Sequence, residues 1–184
     1  MQRVLVIGCS GSGKTTLARC LAAKHGLHYI SLDAEFWQPG WVGTPDEVFI
    51  PRVEQLCQLE HWVMDGTYSR TLALRLEHAD TVIWLEIPRY VCITRVMWRL
   101  ATSCGRIRPE MAPGCPEHFD WGFLRYIWHY HRRHHAQHLG MLTEWLGHTP
   151  ISGKWLRSLD RRRAIIWWPY MRLHALPQQP REMP

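Results

Sequence analysis

The residues with the clearest chemical signature lie near the start of the chain. The segment Gly8-Cys9-Ser10-Gly11-Ser12-Gly13-Lys14-Thr15 matches the phosphate-binding pattern G-x-x-x-x-G-K-[ST] at every fixed position. In such a loop the glycines let backbone N–H groups converge on an anion, and the following helix adds its positive end. We therefore expect ATP here, with Lys14 at the β- and γ-phosphates and the Thr15 hydroxyl on Mg²⁺. The expected nucleotide-binding residues of this loop are Gly8, Cys9, Ser10, Gly11, Ser12, Gly13, Lys14, Thr15 and Thr16.

Three acidic residues come directly after predicted strands: Asp33, Asp65 and Glu86. In an open parallel sheet, ligands bind at the carboxyl ends of the strands, so all three side chains could face the phosphate loop. We assign Asp65 to Mg²⁺, directly or through water, and Asp33 to the hydroxyl group of a phosphate acceptor. We assign no specific role to Glu86. The alternative for each residue is a helix cap or a local salt bridge.

Cations near a moving phosphoryl group stabilise the negative charge that spreads over it. The expected catalytic residues are Lys14, Asp33, Arg70, Arg95, Arg99 and Arg125. Arg95 and Arg99 share one helix face because they are four positions apart. Arg106 and Arg108 lie in a segment rich in proline and glycine, residues 104–118, which we interpret as a short lid that brings both arginines onto the nucleotide phosphates. We expect this lid to have little regular backbone bonding; the alternative is a static loop with solvated arginines.

Trp37 and Trp41 bracket Pro39-Gly40 shortly after Asp33. Their rings could stack on a base or another planar acceptor. They could equally form an aromatic plug that closes a small insert at residues 35–60. The sequence leaves these two interpretations open.

The pattern of apolar residues predicts the elements that position these groups. Strands are expected at residues 3–7, 28–32, 61–64, 81–87 and 154–156, and helices at residues 14–25, 44–59, 71–78, 89–103 and 119–146. Thr44 is expected to cap the second helix in a capping box with Glu47. A last helix would begin at Ser158 or Asp160.

Strands that alternate with helices indicate the α/β class, here a three-layer P-loop fold with a five-stranded parallel sheet. We expect a single domain over residues 1–176, with an acceptor insert at residues 35–60 and the lid at residues 104–118. Residues 177–184 are expected to form a disordered tail.

Beyond the phosphate loop, the chain resembles adenylate kinases. Met64-Asp65-Gly66-Thr67-Tyr68-Ser69-Arg70-Thr71 is similar to their Asp-Gly-x-x-Arg element, with one more residue before the arginine, and Arg95 and Arg99 match arginines of their next helix. The chain is more similar still to the adenylate-kinase-like proteins known as DNA topology modulation or FlaR-like proteins. That resemblance rests on Leu32-Asp33, Trp37-Gln38-Pro39-Gly40-Trp41, Asp65-Gly66-Thr67-Tyr68-Ser69-Arg70 and Arg108-Pro109-Glu110-Met111-Ala112-Pro113-Gly114-Cys115.

The resemblance implies an adenylate- or shikimate-kinase-like fold, ATP with Mg²⁺ and a lid that closes over the phosphates. It implies no particular acceptor. The chain departs from adenylate kinases because it lacks their long lid and because its acceptor region is rich in tryptophan, which puts AMP in doubt.

Two further groups of residues have some features of metal sites, but neither is expected to bind a metal. His131 with His135, and His134 with His138, have the spacing of helical metal pairs, but no glutamate stands between them as in H-E-x-x-H, so we interpret the region as a partly solvated basic helix. Cys104, Cys115 and His118 are similar to ligands in the zinc-bearing lids of some adenylate kinases. They lack both C-x-x-C pairs, so we do not expect zinc there.

Composition limits the classes of function. The net charge of +6 fits an anionic ligand, either a nucleotide or nucleic acid. The six scattered cysteines indicate reduced thiols in a cytosolic protein, and no apolar stretch approaches the ~20 residues of a membrane span. A Mg²⁺- and ATP-dependent kinase acting on a small acceptor, such as a nucleotide or nucleoside, is the leading hypothesis. The alternative is an ATP-switched regulatory protein that acts on nucleic acid; a GTPase or motor ATPase ranks last because its motifs are missing.

Overall fold

A computed structural model of the chain describes residues 1–145 and the backbone of residues 164–168. The strands are β1 (Arg3–Gly8), β2 (His28–Ser31), β3 (Trp37–Gln38), β4 (Val42–Gly43), β5 (Trp62–Asp65), β6 (Thr81–Leu85) and β7 (Ala164–Trp168). The helices are α1 (Lys14–His25), α2 (Leu32–Phe36), α3 (Asp46–Cys57), α4 (Ser69–His78), α5 (Arg89–Ser103) and α6 (Trp121–Trp145).

The central sheet is parallel, as the alternation of strands and helices predicted. Four strands with described side chains lie in the order β2-β5-β1-β6, and the backbone of β7 pairs in parallel with the outer side of β6. The pairing segment, Ala164–Trp168, comes later in the chain than the strand expected at residues 154–156. That expected strand, the helix start at Ser158 or Asp160 and the tail at residues 177–184 lie outside the described residues.

β1 is buried on both faces, which explains its unbroken apolar sequence. Val4 and Val6 pack in the cluster on the α1 side of the sheet. Leu5 and Ile7 pack in the cluster on the opposite side, together with residues of α3, α4 and α6 such as Leu72. The sheet is therefore the middle of three layers. Among the helices within residues 1–145, none is both long and apolar enough to cross a membrane.

The acceptor insert contains an antiparallel hairpin, β3 with β4, followed by α3. The expected capping box is wrong, because α3 begins at Asp46 and Thr44 does not cap it. The backbone N–H and the Oγ1 of Thr44 instead both donate to the carbonyl oxygen of Phe36, at 2.9 and 2.7 Å. The hairpin thus uses the hydrogen-bonding groups that the sequence pattern had assigned to the helix.

Candidate active site

The phosphate loop joins β1 to α1, and two of its glycines make very close approaches. Gly8 has a φ of +146°, and a Cβ atom there would lie 2.5 Å from the carbonyl oxygen of Leu85. Gly11 has a φ of +80°, and a Cβ atom there would lie 2.4 Å from the carbonyl oxygen of Cys92. Any side chain at either position would displace β6 or α5. The loop is therefore held against the carboxyl end of the sheet.

The first turn of α1 has the features of an anion site. Gly13 precedes the helix with a φ of +96° and supplies no capping side chain, and the first turn contains no acidic residue. The Nζ atom of Lys14 donates to the carbonyl oxygen of Cys9 at 3.0 Å, so its charge lies over the loop. Uncapped N–H groups, the positive end of a helix and a nearby ammonium group together favour a bound phosphate. Thr16 is exposed on the same turn.

Thr15 and Asp65 bring a hydroxyl and a carboxylate together beside this turn. The Oγ1 of Thr15 donates to the Oδ2 of Asp65 at 2.5 Å, and the hydroxyl of Tyr29 lies 3.5 Å from the same oxygen. Asp65 is only 5% exposed, and its Oδ1 has no hydrogen-bond partner. Burial raises the pKa of Asp65, while the positive charge of Lys14 and the hydrogen bond from Thr15 act in the opposite direction. These buried oxygens fit Mg²⁺, which prefers hard oxygen ligands.

The segment after Asp65 is tied to the phosphate loop by Thr67, a residue that sequence reasoning missed. The Oγ1 of Thr67 donates to the carbonyl oxygen of Gly8 at 2.7 Å and accepts from the backbone N–H of Gly8 at 3.2 Å. The hydroxyl of Tyr130, on α6, donates to the same Oγ1 at 3.5 Å. One hydroxyl group therefore connects the phosphate loop, the end of β5 and α6.

Arg75 is the second residue that sequence reasoning missed. It is completely buried, and its guanidinium donates to the backbone oxygens of Gly66 at 2.9 Å, Thr67 at 2.6 Å and Tyr68 at 3.0 Å. Burial lowers the pKa of Arg75 to about 10. A buried guanidinium that donates to three consecutive carbonyls fixes the backbone of the segment after β5. The signal in the sequence was an arginine on the otherwise apolar face of α4.

Asp33 lies in α2, close to the same segment. β2 was expected to run to Leu32, but it ends at Ser31, whose Oγ accepts from the N–H of Ala34 at 3.4 Å and starts the helix. The hydroxyl of Tyr68 donates to the Oδ1 of Asp33 at 2.7 Å. Burial and the charge of Asp33 raise the pKa of Tyr68, so the phenol stays a hydrogen-bond donor. α2 thus positions the carboxylate beside the segment that follows Asp65.

The two tryptophans of the acceptor insert contact each other and the proposed lid. The rings of Trp37 and Trp41 lie 5.4 Å apart, edge to face, and both pack against the cluster that contains Met111 and Cys115. The Nε1 of Trp41 donates to the carbonyl oxygen of Pro116 at 3.0 Å. This packing favours the aromatic plug over a free stacking surface.

Residues 104–118 carry more backbone bonding than the sequence suggested. The N–H of Gly105 donates to the carbonyl oxygen of Glu117 at 2.8 Å, and the N–H of Gly40 donates to that of Gly114 at 2.8 Å. No helix or strand forms within residues 104–118, as expected, but these irregular bonds hold the segment together and join it to the acceptor insert. Prolines and glycines indicated turns in the sequence, but they could not show that the hairpin of the acceptor insert would bond to them.

The arginines of α5 occupy two different environments. The Nη1 of Arg95 donates to the carbonyl oxygen of Ser12 at 3.2 Å, which places this cation at the phosphate loop. Arg99 and Arg108 share the carboxylate of Glu117, with N–O distances of 3.3 and 2.5 Å. Burial and the charge of Arg108 lower the pKa of Arg99. Since both cations are paired with Glu117, their contact with phosphate stays a prediction.

The remaining predicted arginines lie on the surface. Arg70, on α4, pairs with Asp46 at 2.6 Å and lies 5.6 Å from the ring centre of Phe36, so it contacts the acceptor insert. Arg106 and Arg125 are exposed. The structure thus gathers Lys14, Thr15, Asp65 and Arg95 around one loop and leaves the roles of the other arginines as predictions.

Glu86 does not face the phosphate loop as expected. Its Oε1 lies 2.9 Å from the Nε2 of His135 and 3.2 Å from the Nδ1 of His131, both on α6. α6 is partly solvated, as expected, but its histidines differ: His131 is exposed, whereas His138 is completely buried with its Nε2 2.9 Å from the Oγ of Ser69. The histidine face of α6 packs on the sheet and on α4, which the spacing alone could not reveal.

Comparisons with known proteins identify no family for this chain. No protein-family model and no curated protein matches it. Among solved structures, a shikimate kinase from Bacteroides thetaiotaomicron is similar with a TM-score of 0.47 and 17% identity, over 73% of this chain and 80% of that one. A sugar kinase from Janibacter sp. HTCC2649 is similar with a TM-score of 0.43 and 18% identity, over 92% of this chain and 85% of that one. Similarity at this level assigns the chain neither an activity nor a substrate, and membership of the DNA topology modulation family stays a prediction.

Proposed function

We propose that this chain is a phosphotransferase that moves the γ-phosphate of ATP to a small acceptor. The observation that carries the proposal is the Thr15–Asp65 pair beside the glycine loop, with the Oδ1 of Asp65 buried and unpartnered. Lys14 and Arg95 add two cations at the same loop. Phosphoryl transfer depends mainly on positioning and on cations near the moving group, and these residues supply both.

The roles of the loop residues follow from their positions. Thr15 and Asp65 would hold Mg²⁺, which neutralises charge on the phosphate oxygens when bound. The uncapped N–H groups before α1 hold the β-phosphate, and Lys14 leaves Cys9 to contact the γ-phosphate. Arg95 is close enough to stabilise the charge on the transferring group.

Asp33 supports a transferase over a simple ATPase. Its Oδ1 is occupied by the hydroxyl of Tyr68, which orients the carboxylate and leaves Oδ2 for the hydroxyl of an acceptor. A carboxylate in that position aligns the attacking oxygen and accepts its proton as the new P–O bond forms. Arg70, which pairs with Asp46 on the surface, would exchange this carboxylate for an anionic group of the acceptor. A nucleotide or nucleoside is the acceptor class that we propose, although the resemblance to adenylate kinases by itself implies no particular acceptor.

A second function is favoured by one feature of α6. Trp121 and Trp128 are 76% and 45% exposed on this helix, Arg132 is exposed one turn after Trp128, and the guanidinium of Arg89 lies 4.0 Å from the centre of the Trp128 ring. Aromatic and basic side chains on one surface can bind single-stranded nucleic acid through stacking and charge. A protein that binds DNA under the control of ATP would use this surface. A DNA titration at several salt concentrations tests it, because phosphate contacts make affinity fall steeply with salt.

Transfer of labelled phosphate tests the leading proposal. The full chain is incubated with Mg²⁺ and γ-labelled ATP or GTP, together with a panel of nucleosides, nucleotides and small alcohols. We expect one acceptor class to become labelled, and we expect Lys14→Ala and Asp33→Asn to abolish that product. If nucleotide binds but no acceptor is labelled, the transferase proposal is wrong. If the acceptor is still labelled by Asp33→Asn, Asp33 does not activate the acceptor hydroxyl, but the transferase proposal stands.

A further inference from the structure

A second group of ligand atoms converges at the end of β6, apart from the Thr15–Asp65 pair. Glu86 follows β6, and His131 and His135 stand one turn apart on α6, so residues far apart in the chain meet here. The Oε1 of Glu86 lies 3.2 Å from the Nδ1 of His131 and 2.9 Å from the Nε2 of His135. One ligand atom from each residue lies within 4.8 Å of the others.

Both histidine contacts converge on a single carboxylate oxygen. The Oε1 of Glu86 is buried and has no hydrogen bond of acceptable geometry, although two ring nitrogens lie at contact distance from it. Ligand atoms on a tetrahedral ion, each about 2.0–2.1 Å from the metal, lie about 3.3 Å from one another. The two measured separations are close to that edge length. The two carboxylate-to-imidazole separations therefore suit a shared metal ion, and the two imidazole nitrogens lie within 4.8 Å of each other.

The type of ligand selects the class of ion. Two imidazole nitrogens with one carboxylate oxygen suit Zn²⁺ and similar transition-metal ions, whereas Mg²⁺ and Ca²⁺ prefer oxygen ligands throughout. Trp84 covers one side of the group, with its ring 5.2 Å from that of His135. The side chain of His131 is 60% exposed on the other side, which gives an ion access from solution and leaves a coordination position for water.

We infer that Glu86, His131 and His135 form a binding site for one divalent transition-metal ion, with Zn²⁺ as the best match. The ion joins the end of β6 to α6. It therefore fixes the helix that carries Tyr130, whose hydroxyl contacts Thr67 beside the phosphate loop. The site is independent of the proposed kinase activity, because neither its ligands nor its ion takes part in phosphate transfer. A metal-binding H-E-x-x-H helix carries its glutamate between the histidines, whereas here the glutamate comes from the residue that follows β6.

Cobalt provides the direct test, because Co²⁺ in a tetrahedral site absorbs visible light far more strongly than in an octahedral one. The full chain is treated with a chelator, desalted, and titrated with Co²⁺ and then with Zn²⁺ in the presence of excess Mg²⁺. Bound zinc is counted by mass spectrometry of the metal. We expect one equivalent of tightly bound ion that excess Mg²⁺ does not displace, and a rise in the melting temperature on binding.

Variants assign the ion to these three residues. Glu86→Gln, His131→Ala and His135→Ala should each weaken binding by more than about 100-fold, beyond the loss seen for outer partners of metal sites. His129→Ala is the matched control on the same helix, since its Nδ1 contacts the carbonyl oxygen of Arg125. His131 is exposed enough that its replacement leaves the fold intact, which circular dichroism and nucleotide binding verify.

Three outcomes would overturn the inference. The first is that the unmodified chain binds no Co²⁺ or Zn²⁺ tightly. The second is that His129→Ala weakens binding as much as His131→Ala does. The third is a thiolate-to-cobalt charge-transfer band, which would assign the ion to exposed cysteines such as Cys20 and Cys104.

Discussion

The hydroxyl of Thr15 and the carboxylate of Asp65 are 2.5 Å apart, although 50 positions separate them in the chain. Parallel pairing of β1 with β5 places Asp65 opposite Val6, next to the point where the chain turns into the phosphate loop. Burial of Asp65 leaves its Oδ1 without a partner, which is costly unless a ligand supplies one. The pair therefore has a strong physical reason to bind a cation.

Asp65→Asn should reduce Mg²⁺-dependent turnover by about 100-fold while leaving metal-free nucleotide binding nearly unchanged. The substitution keeps the shape of the side chain and removes the charge that holds the metal. Turnover is measured across a Mg²⁺ titration, and nucleotide binding is measured by calorimetry with and without Mg²⁺. Equal losses of both quantities would show that the metal carboxylate lies elsewhere.

Thr15 offers a matched pair of variants for the same site. Thr15→Ser keeps the hydroxyl and should preserve most turnover and the Mg²⁺ requirement. Thr15→Val keeps the shape, removes the hydroxyl and should raise the Mg²⁺ concentration needed for half-maximal turnover. Identical Mg²⁺ titrations for the two variants would contradict a role for the hydroxyl.

Lys14→Ala should lower turnover by about 100-fold or more, because it deletes a cation at the transferring phosphate. Lys24→Ala is the control, since Lys24 is an exposed lysine in the last turn of the same helix. Binding of ATP and phosphate release are measured for both variants. If Lys14→Ala matched Lys24→Ala in both measurements, the phosphate-loop interpretation would fail.

Arg75→Met should lower the free energy of unfolding by about 3 kcal/mol, because it removes the buried guanidinium that donates to the backbone oxygens of Gly66, Thr67 and Tyr68. Arg52→Met is the control, because Arg52 is half exposed and its pair with Glu35 is worth ~1 kcal/mol at most. Urea titration gives both values. A loss for Arg75→Met no larger than that for Arg52→Met would show that Arg75 does not hold the segment after Asp65.

Much of the phosphate site could be predicted from the sequence because it depends on topology. Carboxyl ends of adjacent parallel strands meet at one edge, so a strand that ends in Asp65 must lie beside a loop that follows β1. The same reasoning failed for Glu86. Its strand is also adjacent to β1, but its side chain turns to α6, and the choice depends on packing that spacing does not encode.

Side-chain pairings between distant segments were the features that sequence reasoning could not reach. Arg75 was not singled out, because no pattern shows that three backbone oxygens will face it. Thr44 fitted a helix cap, but the hairpin β3–β4 competes for its hydroxyl. Local patterns predict which groups are available for bonding, while the tertiary fold decides which partner each one takes.

His138 should make stability depend on pH. Burial, with added repulsion from His134, Arg75 and His135, lowers the pKa of His138 to about 4. The folded pKa lies below the unfolded value of 6.5, so the folded state favours the neutral ring. The contribution of His138 to the free energy of unfolding is therefore complete above pH ~6.5 and is lost as the pH falls toward 4. Between pH 7 and pH 5 the free energy of unfolding should drop by on the order of 2 kcal/mol from this group.

Replacement of His138 separates this effect from other titrations. His138→Gln keeps a polar group beside Ser69 and cannot titrate, so its stability should vary less between pH 7 and pH 5. Urea titrations at both pH values measure the difference. The same pH dependence in the variant and in the unmodified chain would contradict a buried, neutral His138.

The last prediction concerns the lid. Arg99 and Arg108 each direct Nε at the carboxylate of Glu117, which is 5% exposed, and the Nη1 of Arg108 also contacts Glu110, so these carboxylates compete with phosphate for Arg108. Opening of residues 104–118 must also break backbone bonds such as that between Gly105 and Glu117. We therefore expect ATP to rearrange a segment that is already ordered, with its phosphates replacing Glu117 as the partner of Arg108.

Hydrogen exchange and kinetics test this rearrangement together. With an ATP analogue and Mg²⁺ bound, amides of residues 104–118 should gain protection, because closure of the segment over the phosphates excludes water. Arg106→Ala combined with Arg108→Ala should reduce turnover more than nucleotide binding, since cations on the transferring group act mainly in the transition state. Glu117→Gln removes the competing charge while keeping the shape, so it should strengthen ATP binding if Arg108 moves to the phosphates. Amides that exchange equally fast with and without ligand, together with normal turnover in the double variant, would show that residues 104–118 form a static loop.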